Sequence, residues 1–231
     1  MIGEQLKRVL IVEDDTDIAT AVSIGLRGKG HEVAVATSGR QMNEVLAETE
    51  VDVIFLDLGL PDVDGLELIT QVRQWSAVPI VVISARHDSQ GKIAALDAGA
   101  DDYVTKPFSL GEVLARLRAI ERRAGSGSES SVLRTADGRV VIDLAAHVLH
   151  VEGTQVHLTP IEWNMLAVFA KHKGALVDAR TLLTEVWGPE YVGERGYLRV
   201  YMSQLRQKLE VDPAQPQYLH TQMGMGYRFT P

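Results

Sequence analysis

Five polar side chains stand at the ends of apolar runs. Glu13 and Asp14 follow the apolar run 9–12, and Asp57 closes the run 53–56. Ser84 closes 80–83, and Lys106 follows 103–105. A carboxylate whose charge is offset can attack phosphorus and form an acyl phosphate. Three carboxylates brought together need a cation. Mg2+ suits them because it prefers oxygen ligands in octahedral geometry and keeps several waters. Asp14, Asp57 and the Gly59 carbonyl are the expected ligands, with Glu13 acting mostly through water. The Ser84 hydroxyl and the Lys106 ammonium are the expected contacts for phosphoryl oxygens. Each residue alone has a plain alternative: a turn Asp, a strand-end Ser, a solvated Lys. Their joint placement at the ends of apolar runs is what points to chemistry.

The elements that must position them are legible as an alternation. Runs 9–12, 32–37, 53–57, 80–84 and 103–106 read as strands bounded by turn signals. Between them lie segments with apolar residues three and four apart, such as Ile18, Val22 and Leu26, or Leu110, Leu114 and Leu117. Five strands alternating with five helices predict a parallel sheet covered on both faces. Right-handed crossovers favour the flavodoxin-like strand order 2-1-3-4-5, a (βα)5 α/β fold. In that order the first and third strands are neighbours. Their carboxyl ends, where ligands bind in such sheets, then bring Glu13, Asp14 and Asp57 together.

These residues resemble the response-regulator receiver family. The resemblance spans 8–123 and rests on Glu13-Asp14, LDLGLPDVDG (56–65), ISAR (83–86) and GADDYVTKPF (99–108). It implies that Asp57 accepts phosphate from a sensor histidine kinase. It also implies that Ser84 and Tyr103 form a switch pair, that Lys106 contacts the phosphate, and that Lys106-Pro107 is a cis peptide. The receiver is expected over residues 1–123.

Residues 124–131, AGSGSESS, read as a flexible linker. The remainder, 132–231, opens with strand-like pieces at 139–142, 147–151 and 155–158. A helix follows, with Thr159 as N-cap, Pro160 at its first position and Glu162 completing a capping box. A second helix is expected over 181–187 and a third over about 194–210, stopping before Asp212-Pro213. A hairpin closes the chain, 218–223 and 227–230 around Gly224-Met225-Gly226. Three helices and a hairpin describe a winged helix-turn-helix. On the third helix Leu198, Met202, Leu205 and Leu209 form the expected buried stripe. Gly196, Val200, Ser203, Gln204 and Gln207 lie opposite, with Arg195, Arg199 and Arg206 along one flank. Such a face suits a major groove: Gln and Ser bond base edges, Val touches a thymine methyl, Arg holds phosphates. A solvated amphipathic helix is the plain alternative, and the hairpin behind it favours double-stranded DNA. The candidate DNA contacts are Arg195, Tyr197, Arg199, Val200, Ser203, Gln204 and Arg206, with Arg228 from the wing.

HLTPIEW (157–163), LRVYMSQLRQKLE (198–210) and GMGYRF (224–229) resemble the winged-helix effectors of the OmpR/PhoB family. One departure stands out. Some members carry an Arg near the wing tip; here that region reads Thr221-Gln222-Met223, with Arg228 the nearest cation. Within the family, RQWSAVPIVVISAR (73–86), KIAALDAGADDYVTKPF (92–108) and LRVYMSQLRQKLE (198–210) resemble the KdpE-type regulators of potassium transport. That branch implies a KdpD-like kinase, a kdp-like operon and RNA polymerase as partners. The family also implies a homodimer on phosphorylation, with intermolecular pairs Lys92–Glu112, Asp102–Arg116 and Asp97–Arg118. Ile93, Leu96 and Val113 are expected at its centre, some of them exposed in the monomer, and DNA with repeated half-sites is the expected target.

Composition adds boundaries. There are no cysteines, which excludes disulfides and thiolate metal sites. No signal-peptide core or membrane-length apolar run is present, so no membrane partner and a cytoplasmic location are expected. The net charge of −8 is uneven: residues 1–124 hold 13 Lys/Arg against 20 Asp/Glu, and 132–231 hold 10 of each. Two parts with different work are expected, the second with modest non-specific affinity for nucleic acid. Two rivals remain. An aspartyl-phosphate phosphatase or phosphotransferase usually places an acid two residues after its nucleophile, where this chain has Gly59. A receiver-fold interaction protein that takes no phosphate would have no use for Asp57, Ser84 and Lys106 together.

Overall fold

The computed structural model describes residues 7–85, 89–124, 132–172 and 174–231. Two compact units divide the chain, Met1–Glu121 and Arg122–Pro231. The expected linker segment 125–131 and Arg86 of the ISAR motif lie outside the described residues.

The first unit alternates strand and helix throughout. Its strands are β1 (Arg8–Val12), β2 (Glu32–Ala36), β3 (Val53–Asp57), β4 (Ile80–Ser84) and β5 (Asp102–Thr105). Its helices are α1 (Thr16–Arg27), α2 (Gly39–Glu48), α3 (Gly65–Arg73), α4 (Ser89–Asp97) and α5 (Leu110–Ala124), the last running past the division. All strands are parallel, in the order β2-β1-β3-β4-β5. Alternate strand residues Val9, Ile11, Val53, Phe55, Val81, Ile83 and Val104 form one core with Val22 and Leu26 of α1 and Val113 and Leu117 of α5. The intervening residues, Leu10, Val12, Ile54, Leu56, Ile80 and Val82, are buried as well. Burial on both faces is why these strands read as continuous apolar runs.

Acidic side chains fix the turns above the sheet. Asp15 caps α1, accepting from the Asp17 and Ile18 amides at 2.9 and 3.1 Å. Asp64 caps α3 through Leu66 N at 2.8 Å. Asp62 accepts from Gly39 N and Arg40 N, tying the β3–α3 loop to the start of α2; those two amides hold its carboxyl below the usual range. Gly65 starts α3 directly beside the strand end. A Cβ there would come within 2.6 Å of Leu58 Cα, so a larger residue would push the helix off the loop that follows Asp57.

The second unit opens with an antiparallel sheet of β6 (Val132–Arg134), β7 (Val140–Asp143), β8 (Val148–Val151) and β9 (Thr154–Val156). Then come α6 (Pro160–Lys171), β10 (Leu176–Asp178), α7 (Ala179–Val186), a 3-10 turn Pro189–Tyr191 and α8 (Arg195–Leu209). The unit ends with β11 (Leu219–Gln222) and β12 (Gly226–Phe229). The capping box at Thr159 and Glu162 is formed. β10, β12 and β11 make a second small sheet in that order. β6 and β10 carry no expectation from the sequence. Trp187 is fully buried against Tyr197 and Tyr201 of α8, with ring centroids 5.7 and 5.3 Å away.

Candidate functional site

The parallel register levels the strand ends. Val12 lies beside Leu56, Asp57 beside Ile83, and Ser84 beside Thr105. Glu13 extends β1 by one residue, its amide bonding Ala36 O at 3.0 Å, and this turns its side chain inward. Asp14 is exposed, and Asp15 is spent on the helix cap. Three consecutive acids therefore take three different positions. One carboxylate oxygen from each of Glu13, Asp14 and Asp57 lies within 4.8 Å of the other two. Gly59 is exposed, and its amide donates to Asp57 Oδ1 at 3.0 Å.

Lys106 reaches into this cluster from the end of β5. Its Nζ donates to Asp57 Oδ2 at 2.6 Å and to Glu13 Oε1 at 2.7 Å. The Lys106-Pro107 peptide is cis, and Lys106 N bonds Ser84 O at 2.8 Å. Burial alone would lower the Lys106 pKa; the hydrogen bonds to Asp57 and Glu13 override it and raise it. Burial pushes the Glu13 carboxyl up to about 7, against the pull of Lys106 and with the added repulsion of Asp57. One ammonium thus leaves the cluster with excess negative charge. An all-oxygen donor set with one exposed member fits Mg2+, which keeps waters on its open side. Ser84 and Tyr103 are both 3% exposed, so the Tyr103 ring lies inside the unit.

One ion pair of this unit has no counterpart in the expected site. Arg73 bonds Asp101 at 2.8 Å and the Gly99 and Val78 carbonyls at 2.8 and 2.7 Å, while Asp101 also accepts from Ile80 N. This ion pair anchors the starts of β4 and β5. The first Asp of GADD was the available signal.

The α4–β5–α5 face meets expectation only in part. Leu96 and Val113 are 1% and 0% exposed; they belong to the monomer interior and offer no surface to a partner. Ile93 is 41% exposed. Asp97 and Arg118 are exposed, and Lys92 and Glu112 half-buried. Asp102 is 1% exposed and pairs within its own chain, 3.7 Å from Arg116, which also bonds Glu112 at 3.3 Å. The four-residue spacing on α5 brings Arg116 and Glu112 together without a second subunit.

On α8 the expected buried stripe is in place, and the buried face is wider than expected. Tyr197 and Val200 are 2% and 6% exposed, so both are core residues and neither is available to DNA. Tyr197 packs between Trp187 and Tyr191, an aromatic cluster that periodicity around four aliphatic residues does not reveal. Arg195, Arg199, Ser203 and Gln207 are exposed, and Gln204 is half-buried. Arg206 is committed within the unit: its guanidinium bonds Leu219 O at 2.6 and 2.9 Å and Thr221 Oγ1 at 2.8 Å. Arg228 is half-buried in β12, opposite Leu176 and His220. Lys208 bonds the buried Glu162 at 2.6 Å, fixing α8 against α6.

Comparison with known proteins agrees with both halves. Residues 9–118 match the response regulator receiver domain, and 153–229 match the transcriptional regulatory protein C-terminal domain. The transcriptional regulatory protein KdpE of Mycobacterium tuberculosis is 48% identical, over 96% of this chain and 98% of its own. The KDP operon transcriptional regulatory protein KdpE of Escherichia coli is also 48% identical, over 97% and 99%. The solved structure of the Thermotoga maritima response regulator DrrB, an OmpR/PhoB homolog, is 27% identical with a TM-score of 0.53, covering 98% of this chain and all of that one. With a flavodoxin-like receiver and a winged-helix effector, this chain belongs to the OmpR/PhoB family of DNA-binding two-component response regulators.

Proposed function

We propose that Asp57 takes a phosphoryl group from a phosphohistidine of a KdpD-like sensor kinase. An Asp57 carboxylate oxygen attacks phosphorus, the new P–O bond forms as the P–N bond breaks, and the imidazole nitrogen leaves with the electron pair. Glu13, Asp14, Asp57 and the Gly59 carbonyl are the residues to hold Mg2+, which supplies charge neutralisation for the incoming phosphoryl oxygens. Lys106, already hydrogen-bonded to Asp57, follows the charge onto the phosphoryl group, and the Ser84 hydroxyl donates to it. Tyr103 then reports the change to the α4–β5–α5 face. The observation that carries this reading is the joint contact of Lys106 with Asp57 and Glu13.

The proposed divisions are a receiver over 1–123, a linker over 124–131 and an effector over 132–231. Phosphorylation favours a homodimer, and two effectors bind repeated half-sites in duplex DNA, controlling RNA polymerase at a kdp-like operon. Among the described residues no helix is long and apolar enough to cross a membrane, in keeping with work in the cytoplasm. The chain's likeness to transcription regulators favours a phosphoacceptor over an aspartyl-phosphate enzyme, and Gly59 leaves no side-chain acid there. The test is acetyl phosphate with Mg2+, followed by intact mass. The parent should gain one phosphoryl group and keep it, and Asp57→Asn should gain none. Rapid turnover in the parent would indicate an enzyme instead.

A further inference from the structure

The tip of the wing carries two methionines in water. β11 and β12 pair from Leu219↔Phe229 to Gln222↔Gly226, and Met225 N closes the turn on Gln222 O at 3.0 Å. Gly224 has φ +75, which allows the chain to reverse there. Met223 is left 92% exposed and Met225 57% exposed. The base of the hairpin is fixed. A Cβ on Gly226 would meet Val177 O at 2.1 Å, so β12 presses directly on β10. Arg206 of α8 grips Leu219 O and Thr221 Oγ1 on β11. The methionine tip therefore stands at a set offset from the exposed face of α8.

The chemistry around the tip selects its occupant. Residues 213–231 contain no Asp or Glu, while His220 and Arg228 lie in the hairpin. Burial raises the Tyr227 phenol, and the charges of Arg206 and Arg199 pull it down, which places positive potential at the junction of wing and helix. An acid-free, weakly positive hairpin continuous with an Arg-flanked helix faces a polyanion. Its tip has no cation to read a narrow groove. Apolar side chains meet DNA differently: they wedge against base steps in the minor groove, partly unstack them and kink the duplex. Methionine suits this because it is unbranched and polarizable and adapts to irregular surfaces.

Resting on the DNA-binding reading of α8, we propose that Met223 and Met225 are the wing's contact to DNA. They form an uncharged thioether wedge in the minor groove beside the α8 site, selecting deformable steps in place of a cationic readout. Pyrimidine–purine steps, which kink most readily, are then preferred where the wing lands, and stiff A-tracts are disfavoured.

The experiment uses the full chain treated with acetyl phosphate and Mg2+, and duplexes it selects from a random pool, labelled at both ends for distance measurement. The double variant Met223→Ala, Met225→Ala should bind roughly tenfold more weakly and bend the duplex less. Its salt dependence should match the parent's, since no phosphate contact is lost. The Met→Leu pair should keep both affinity and bend. Met223→Lys should steepen the salt slope by about 0.9, the effect of one added phosphate contact. Replacing a TA step by an A-tract at the wing position should weaken the parent and leave the double Ala variant unchanged. A double Ala variant that binds and bends like the parent overturns the proposal. So does a loss of affinity accompanied by a shallower salt slope. Failure of the parent to select any duplex would overturn the DNA reading itself, an outcome distinct from both.

Discussion

Lys106 Nζ lies 2.6 Å from Asp57 Oδ2, joining the end of β5 to the end of β3 across the intervening β4. The same nitrogen holds Glu13, so one cation offsets two largely buried carboxylates. Removing one partner of a buried pair is costly because the other charges stay behind.

Lys106→Met should lower the metal-free stability of the receiver by about 3 kcal/mol. Mg2+ in excess should restore more stability in the variant than it adds to the parent, since it binds the folded cluster and not the unfolded chain. Urea unfolding with and without MgCl2 measures both. Equal Mg2+ responses would mean that the ammonium is not neutralising the cation's ligands.

The reading helix separates into residues that hold the fold and residues that meet DNA. Tyr197→Ala should destabilise the effector by about 3–5 kcal/mol, the usual cost of deleting a buried aromatic ring, whatever DNA is present. Arg199→Ala should leave stability within about 0.5 kcal/mol. It should weaken binding to all sequences and lower the salt slope by about 0.9. Gln204→Ala should relax base preference at one position of each half-site by about 1–3 kcal/mol. Unfolding curves and salt-titrated binding distinguish them. A Tyr197→Ala protein of parental stability would return that residue to the DNA face.

Legibility in the sequence followed burial. β3 and β4 match their expected bounds because both faces are covered and every residue is apolar up to Asp57 and Ser84. The 2-1-3-4-5 order follows from alternation and crossover hand. The acidic site was legible because strand ends place its members without reference to side-chain contacts. Helix faces were harder to read. At 100° per residue Val200 falls opposite the stripe, yet it is 6% exposed, and Tyr197 on the flank is buried against Trp187, which the spacing of the stripe does not reveal. Arg206 illustrates a second limit. Its spacing puts it on the basic flank, but the Leu219 carbonyl, 13 residues away in the chain, claims its guanidinium. Asp102 and Arg116 show the same thing: charges that suit a two-fold interface are satisfied within one chain.

Acid should find a weak point at Asp137. Its carboxyl accepts the Thr135 and Tyr218 hydroxyls, each at 2.6 Å, and Arg139 N at 3.0 Å. The Thr135 hydroxyl first, then Tyr218 and Arg139 N, hold its pKa down to about 2, from an ordinary 3.8. A depressed carboxylate adds stability that is fully present above its unfolded pKa and is lost as pH falls through the folded one. The urea midpoint of the effector should therefore decline between about pH 4 and pH 2 more steeply in the parent than in Asp137→Asn, and the two should converge near pH 2. Parallel declines would show that these hydrogen bonds do not favour the ionised form.

The dimer proposal now rests on fewer residues, and the choice of pair matters. Asp102–Arg116 is a poor test because that pair exists within the monomer. A swap there would restore the intrachain contact whether or not a dimer forms. Asp97 and Arg118 are both exposed, on α4 and α5, with Ile93 41% exposed on the same helix as Asp97. An isolated exposed ion pair contributes at most about 1 kcal/mol. Across a two-fold axis each contact occurs twice, and an apolar centre at Ile93 adds to it. Arg118→Glu should therefore weaken dimerisation of the acetyl-phosphate-treated chain by roughly tenfold, two contacts being lost and like charges opposed. Adding Asp97→Arg should restore it. Ile93→Ala should weaken the dimer without altering phosphorylation, since Ile93 is neither a member of the acidic cluster nor part of the Lys106–Asp57 contact. Sedimentation at matched phosphorylation reads all three. Dimerisation unchanged in Arg118→Glu and Ile93→Ala would place the interface on another face of the receiver.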